Sequence, residues 1–245
     1  MSDMARHCLA FRQPKGDETL EEWEDAYAVD PVGQRLAVAD GTTDSVYAKV
    51  WAELLVNRFV AAKGDAEDWS GWLLGARDAW AAQFCGREIP YHAVKKFQKG
   101  SFATFLGVVL KTFEGLPCHW HAVAVGDTCL FHTRDAVLQK SFPVERSEQF
   151  GNTPALVCSR GSFAEMTHGH ATSQTALPGD RLWLMTDALA HWALARQEAG
   201  DSPWEELQRF LTPQTTPAEF AAWIERLREH QGLRDDDITL LTLTV

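Results

Sequence analysis

Residues 102–142 read FATFLGVVLKTFEGLPCHWHAVAVGDTCLFHTRDAVLQKSF, and they decide the fold class. The stretch breaks into four runs: FATFLGVVL (102–110), HWHAVAV (119–125), TCLFHT (128–133) and AVLQKSF (136–142). Each is short, rich in β-branched or aromatic residues, and set off by turn-forming residues, which predicts consecutive strands with no helix between them. The Gly126-Asp127 pair between the second and third runs predicts a tight antiparallel hairpin.

On the N-terminal side, RLAVADG (35–41) is an apolar run closed by Asp-Gly and predicts a strand ending in a turn. Behind it, 45–61 carries Tyr47, Val50, Trp51, Leu54 and Leu55 at helical spacing, and 67–84 repeats that period with Trp69, Trp72, Leu73 and Trp80. On the C-terminal side, RLWLMT (181–186) predicts a further strand, and 188–198, 203–210 and 217–230 predict helices. The alternating run DITLLTLTV (237–245) predicts a last strand inside a sheet, where alone its backbone groups are paired. Helices, a block of strands, helices and a closing strand imply an α+β fold with mainly antiparallel sheets.

No repeat, low-complexity tract or linker interrupts the 245 residues, so one domain over 1–245 is expected. The 45% hydrophobic and 23% charged content excludes wholesale disorder. A net charge of −11 disfavours binding to nucleic acid or an anionic membrane surface. No apolar run reaches the length of a membrane span, and the first residues lack the pattern of a secretory signal. The five cysteines are scattered, form no CxxC pair, and fit reduced thiols in a cytoplasmic protein. Most of the ten tryptophans fall in amphipathic or apolar segments and are expected in the core.

Three aspartates share one context. Asp40 ends RLAVA, Asp187 follows RLWLMT, and Asp236 precedes the last strand. Strand ends converging at one rim would crowd these carboxylates, and crowded carboxylates repel unless a divalent cation lies between them. An all-oxygen set favours Mg²⁺ or Mn²⁺ over zinc. Each aspartate alone also reads as an ordinary turn former. His119-Trp120-His121 with Cys118, and His168-Gly169-His170, bring zinc to mind, but no spacing matches a structural zinc site and exposed strand histidines are commoner.

The series EDAYAV (24–29), LAVADG (36–41), GSFATFLGVVL (100–110), AVAVGDTCLF (122–131), PGDRLWLMTDAL (178–189) and DDITLLTL (236–243) resembles the motif order of the metal-dependent protein phosphatases. This is the PPM family of type 2C serine/threonine phosphatases, and the chain looks like a divergent, bacterial-type member. The resemblance implies a four-layer α-β-β-α sandwich, two sheets flanked by helices. It implies two Mg²⁺ or Mn²⁺ ions, with a third in some members, and a phosphoprotein substrate whose phosphate ester is hydrolysed by a water activated between two ions. By resemblance, Asp40 would bridge the ions, the Gly41 carbonyl would bind one, and Asp187 and Asp236 would be further ligands. Asp237 is the alternative to Asp236 within DDD (235–237). Glu24 and Asp25 would order bound waters, and Asp127 would hold the additional ion.

Four positions depart from the family pattern. Thr42-Thr43-Asp44-Ser45 replaces a glycine-rich string after Asp-Gly, and its hydroxyls would cap the helix over 45–61. Ala188 replaces the glycine after Asp187, so the chain is expected to enter a helix directly. His191 stands where an aspartate is common. The arginine that holds substrate phosphate is missing from ETLEEW (18–23), which leaves Lys15, or Arg12, to reach in from the preceding loop. The leading expectation is therefore a cytoplasmic Ser/Thr phosphatase. The alternative is a weakly catalytic, phosphatase-like module that binds a kinase or other signalling partner. A two-metal nuclease fits the carboxylates but conflicts with the net charge.

Overall fold

The runs that read as strands show little alternation because both of their faces are buried. Every residue of RLAVA (35–39) is buried, as are six of the seven residues of Phe105–Lys111. A computed structural model of the chain describes residues 8–16, 18–30, 32, 34–43, 45–66, 68–112, 116–151, 153–161 and 169–245. Its strands are β1 (Cys8–Gln13), β2 (Ala26–Val29), β3 (Arg35–Ala39), β4 (Phe102–Ala103), β5 (Phe105–Lys111) and β6 (Cys118–Val125), then β7 (Cys129–Arg134), β8 (Val137–Phe142), β9 (Val157–Cys158), β10 (His170–Ala176), β11 (Arg181–Met185) and β12 (Ile238–Thr244). The helices are α1 (Ala48–Ala61), α2 (Trp69–Gln83), α3 (Val94–Lys99), α4 (Asp187–Glu198), α5 (Pro203–Phe210) and α6 (Pro217–His230).

One sheet runs β1-β12-β11-β7-β8 and the other β10-β6-β5-β3-β2, while β4 and β9 form a short separate pair. The pairings are antiparallel. The last strand lies inside its sheet, with Leu241 opposite both Ala10 and Leu184. Between the sheets, Leu36, Val38, Leu106 and Val108 meet Leu130, Leu182, Leu184 and Leu241. Outside one sheet, Trp51, Leu55, Phe59 and Trp72 of α1 and α2 pack on Ala37, Phe105 and Val123. Outside the other, Trp192, Trp204, Phe220 and Trp223 of α4–α6 cover Phe131, Trp183 and Leu240. The result is the four-layer α-β-β-α sandwich.

Two local contacts fix the helical layer. A Cβ at Gly107 would meet the Phe59 ring at 2.5 Å, so glycine there lets α1 settle onto β5. The Arg35 guanidinium lies over the same ring at 4.6 Å and donates to the carbonyls of Phe59 and Gly64 at the end of α1. Among the described residues, Trp51, Trp72, Trp80, Trp183, Trp192 and Trp223 are all in the core.

Two expectations are corrected. Gly126-Asp127 does not close a hairpin: β6 pairs with β5 and β10 in one sheet, and β7 pairs with β11 and β8 in the other. The chain arches between layers, because two strands apolar on both faces each need two neighbours and a layer on either side. Gly126 takes φ 90° in that arch, with Thr104 and the Ala155 carbonyl so close that a Cβ would lie 2.7 Å from each. The 42–45 hydroxyls also do not cap α1, whose N-cap is Tyr47 in the left-handed region with no side-chain cap. Instead Thr42 Oγ1 and Ser45 Oγ bond each other, and the Thr42 N–H donates to the Phe102 carbonyl. Asp44 lies outside the described residues.

Candidate active site

At the end of β3, Asp40 is fixed through its carbonyl, which accepts the Thr104 N–H at 2.9 Å, and Gly41 bridges to Ala103. A Cβ on Gly41 would lie 2.7 Å from the Glu24 carbonyl and 3.0 Å from Ala48. Only glycine lets this strand end press against the Glu24-Asp25 segment and the start of α1. Asp25 is fully buried. Its Oδ2 accepts the Thr239 hydroxyl at 2.7 Å, and its Oδ1 has no hydrogen-bond partner among the described residues.

The facing sheet supplies its own carboxylates. The ends of β11 and β12 are locked together: the Thr186 N–H donates to the Thr239 carbonyl, and the Thr239 N–H donates to Thr186 Oγ1 at 2.9 Å. Asp187 opens α4 directly after Thr186, as expected from Ala188, and its Oδ2 accepts Arg234 Nη2 at 2.9 Å. Asp127 sits in the β6–β7 arch at 6% exposure.

The three residues of DDD (235–237) face different ways. Asp235 Oδ1 accepts the Gly16 N–H at 2.8 Å, and Asp236 Oδ1 accepts the Asp237 N–H at 2.9 Å. Asp237 accepts the Lys15 N–H on one oxygen at 2.9 Å and the Glu24 N–H on the other at 2.8 Å. Both of its oxygens therefore anchor the β1–β2 loop.

Burial pushes the Asp40 carboxyl well above its ordinary range, and the charges of Asp25, Asp187, Asp236 and Asp127 push it further. Asp25 is likewise raised well above its range by burial, against the Thr239 hydrogen bond and with the charges of Asp237 and Asp187. Asp127 rises to about 6 through burial and the charge of Asp187, and Asp236 rises for the same two reasons. Four desolvated carboxylates beside the charge of Asp187, with an unpartnered buried oxygen at Asp25 among the described residues, are a hard-oxygen donor set that suits divalent cations. Among the described residues, no three His, Cys, Asp or Glu side chains stand in a finished metal-binding cluster.

Lys15 Nζ donates to Thr43 Oγ1 at 2.9 Å and lies 3.6 Å from Glu24 and 3.9 Å from Glu18. Burial opposes its charge, but Asp237, Glu24, Glu18 and Asp236 outweigh burial and raise its pKa. Arg12 is exposed and lies over the Trp23 ring at 5.1 Å. Leu20, within the stretch 18–23 that lacks the arginine, is exposed. His191 meets the Phe150 ring edge-on at 5.5 Å, and burial followed by the Arg234 charge lowers its pKa. His119 Nδ1 is 3.1 Å from the Thr175 hydroxyl on β10, and His168 lies outside the described residues. The sequence reading missed Arg234, Thr186 and Thr239. A basic residue just before DDD was a usable signal for Arg234, but strand threonines carry none.

An acidic rim where two antiparallel sheets meet, covered on both sides by helices, defines the class to which the comparisons assign the chain. A family model described as Protein phosphatase 2C matches residues 20–225, and the chain belongs to that family. No curated protein sequence is a significant match. Among solved structures, the serine/threonine phosphatase PstP/Ppp of Mycobacterium tuberculosis is similar at TM-score 0.62 and 17% identity, covering 98% of each chain. The PstP catalytic domain in complex with two manganese ions gives TM-score 0.61 at 18% identity, covering 98% of this chain and 97% of that one. Stp1 of Staphylococcus aureus gives TM-score 0.58 at 15% identity, covering 98% and 95%.

Proposed function

We propose that the protein is a Mg²⁺- or Mn²⁺-dependent phosphatase that hydrolyses phosphoserine and phosphothreonine monoesters, with residues 1–245 acting as one domain. The observation that carries this reading is the convergence of Asp25 and Asp40 from one sheet with Asp187 and Asp236 from the other and Asp127 from the arch between them, each charge felt at Asp40. Family membership supports the reaction class, and the manganese complex of a similar fold supports the choice of ion.

Asp40, the Gly41 carbonyl, Asp187 and Asp236 would hold two ions, and Asp127 stands beside them for a third. Bound there, the ions would lower the pKa of a water and offset charge on the phosphoryl oxygens. The chain's own residues do the rest. Asp25 Oδ1, without a hydrogen-bond partner among the described residues, accepts a hydrogen bond from water and orients it. Glu24, raised in pKa by burial against the pull of Thr43 and Lys15, sits at the mouth beside Lys15. Lys15, whose pKa is raised against burial by the carboxylates around it, stands in for the missing arginine and steadies the phosphate. Asp237 serves as a positioning residue, since both of its oxygens are committed to Lys15 and Glu24 backbone. The scattered, disulfide-free cysteines support action in the cytoplasm, and no described helix is long and apolar enough to cross a membrane.

Hydrolysis of p-nitrophenyl phosphate with and without Mn²⁺ tests the reading. Turnover that requires the metal and disappears in Asp187→Asn supports it. Equal, metal-independent background rates in both proteins leave only a binding module.

A further inference from the structure

A chain with net charge −11 pairs its cations widely: Lys15, Lys111, Arg134, Arg196, Arg209, Arg228 and Arg234 each lie within 4 Å of a carboxylate. Other exposed cations without a carboxylate partner among the described residues, Arg12, Arg58, Lys63 and Arg226, lie on other elements, whereas one surface gathers five. Lys95, Lys96 and Lys99 of α3 are exposed, as are Arg87 before it and Arg160 beside it, and none has a carboxylate partner among the described residues. An aromatic stack joins them into one patch. The Arg160 guanidinium lies 4.9 Å over Trp80 and 4.8 Å over Phe97, while Arg87 lies over Phe84, which meets Phe97 at 5.3 Å. Tyr91, one turn before α3, is 96% exposed. Tyr91, Arg87 and Arg160 are of the residue types enriched at recognition surfaces, and the three lysines add positive charge beside them.

The patch is continuous with the acidic rim. Gly100 ends α3, the Ser101 hydroxyl donates to the Val46 carbonyl at 2.5 Å, and the Phe102 carbonyl accepts the Thr42 N–H at 3.1 Å. Thr42 is two residues from Asp40. Chain geometry bounds the separation of Lys99 and Asp40 at about 20 Å, and an extended peptide covers about 3.3 Å per residue.

We propose that α3 and its flanking Arg87, Arg160 and Tyr91 dock an acidic segment of the phosphoprotein substrate, about four to eight residues from the phosphorylated side chain. The inference takes from the phosphatase reading only the identity of the partner as a phosphoprotein. Against the net negative charge of the chain, this cluster of five cations is a place where an acidic segment gains attraction instead of repulsion. RNA offers the same charge, but the remainder of the molecule repels a long polyanion.

Two phosphothreonine peptides test the proposal, one with four Glu residues placed six positions from the phosphothreonine and one with four Gln there, each in N- and C-terminal versions. With Mn²⁺ at low salt, KM for one Glu version is expected to be about tenfold lower than for its Gln match. Lys95→Gln/Lys96→Gln/Lys99→Gln should abolish that advantage, leave p-nitrophenyl phosphate turnover unchanged, and unfold at the parent's temperature because all three side chains are exposed. Equal KM values, or an advantage kept by the triple variant, overturn the docking surface. Failure of p-nitrophenyl phosphate hydrolysis overturns the phosphatase reading instead. Docking is then read by fluorescence anisotropy of an unphosphorylated Glu-rich peptide, which the parent should bind and the triple variant should not. Tighter binding of a single-stranded RNA oligomer than of that peptide overturns the assignment to a protein partner.

Discussion

Replacing Asp237 separates an anchoring role from a metal-binding one. In the folded protein its carboxylate accepts two backbone N–H groups, from Lys15 at 2.9 Å and Glu24 at 2.8 Å. Hydrogen bonds to a charged acceptor contribute about 1.5–3 kcal/mol each, so Asp237→Ala removes about 3–6 kcal/mol and strands two donors. Against this, the same charge raises the pKa of Asp25, Glu24 and Asp236, and its removal relieves repulsion of about 1 kcal/mol. The net loss is about 2–5 kcal/mol, or about 4–20 °C in Tm for a chain of this size. Thermal unfolding followed by circular dichroism measures it. Asp237→Asn keeps one acceptor oxygen and should lose about half as much. Because the anchored loop carries Lys15, Glu24 and Asp25, kcat with Mn²⁺ should fall in both variants while the Mn²⁺ half-saturation stays within about twofold. A Tm for Asp237→Ala within about 2 °C of the parent, with Mn²⁺ half-saturation raised about tenfold, would refute the anchoring role and make Asp237 a ligand.

Other predictions concern charge and packing. Asp40, Asp25, Asp127 and Asp236 all have raised pKa values, so the folded protein without metal binds more protons than the unfolded chain above about pH 4; its stability should fall as pH rises, and the Tm gain from Mn²⁺ should be larger at pH 7.5 than at pH 5. Asp180 has the opposite sign: burial is outweighed by Arg134, the Leu177 N–H and His132, which hold it at about 2. Its stabilisation of about 2 kcal/mol is present above about pH 4 and lost as pH falls toward 2, so urea midpoints of the parent and Asp180→Asn should converge in that window. Gly107→Ala drives a methyl into the Phe59 ring at 2.5 Å and should cost about 1–3 kcal/mol in urea unfolding without altering Mn²⁺ half-saturation. Arg234→Gln removes a cation 2.9 Å from Asp187 and should tighten Mn²⁺ binding, read by titration calorimetry.

The layers were legible because the central strands are apolar on both faces, which left RLAVA, FLGVV and LTL little freedom to be anything but covered β structure. Strands at the sheet edges were not. β10, HATSQTA, is polar and largely exposed, and β1 is interrupted by Arg12, so neither shows the pattern that burial imposes. The destination of the β6–β7 arch depends on which neighbours are free, which no local turn signal records. At the acidic rim, Asp40, Asp187 and Asp236 stood out as charges at the ends of apolar runs. The division of labour among Asp235, Asp236 and Asp237 did not, because three identical side chains differ only in which backbone donors the fold brings to them.

The central claim is that carboxylates from both sheets make Asp40 the hub of a metal-dependent hydrolytic site. Phosphate release from a phosphothreonine peptide by the parent and by Asp40→Asn, across a Mn²⁺ titration, addresses it most directly. Saturable, Mn²⁺-dependent release by the parent, reduced at least about a hundredfold in Asp40→Asn while that variant keeps the parent's far-ultraviolet spectrum, is the predicted result. Equal release by the two proteins at saturating Mn²⁺ would contradict it.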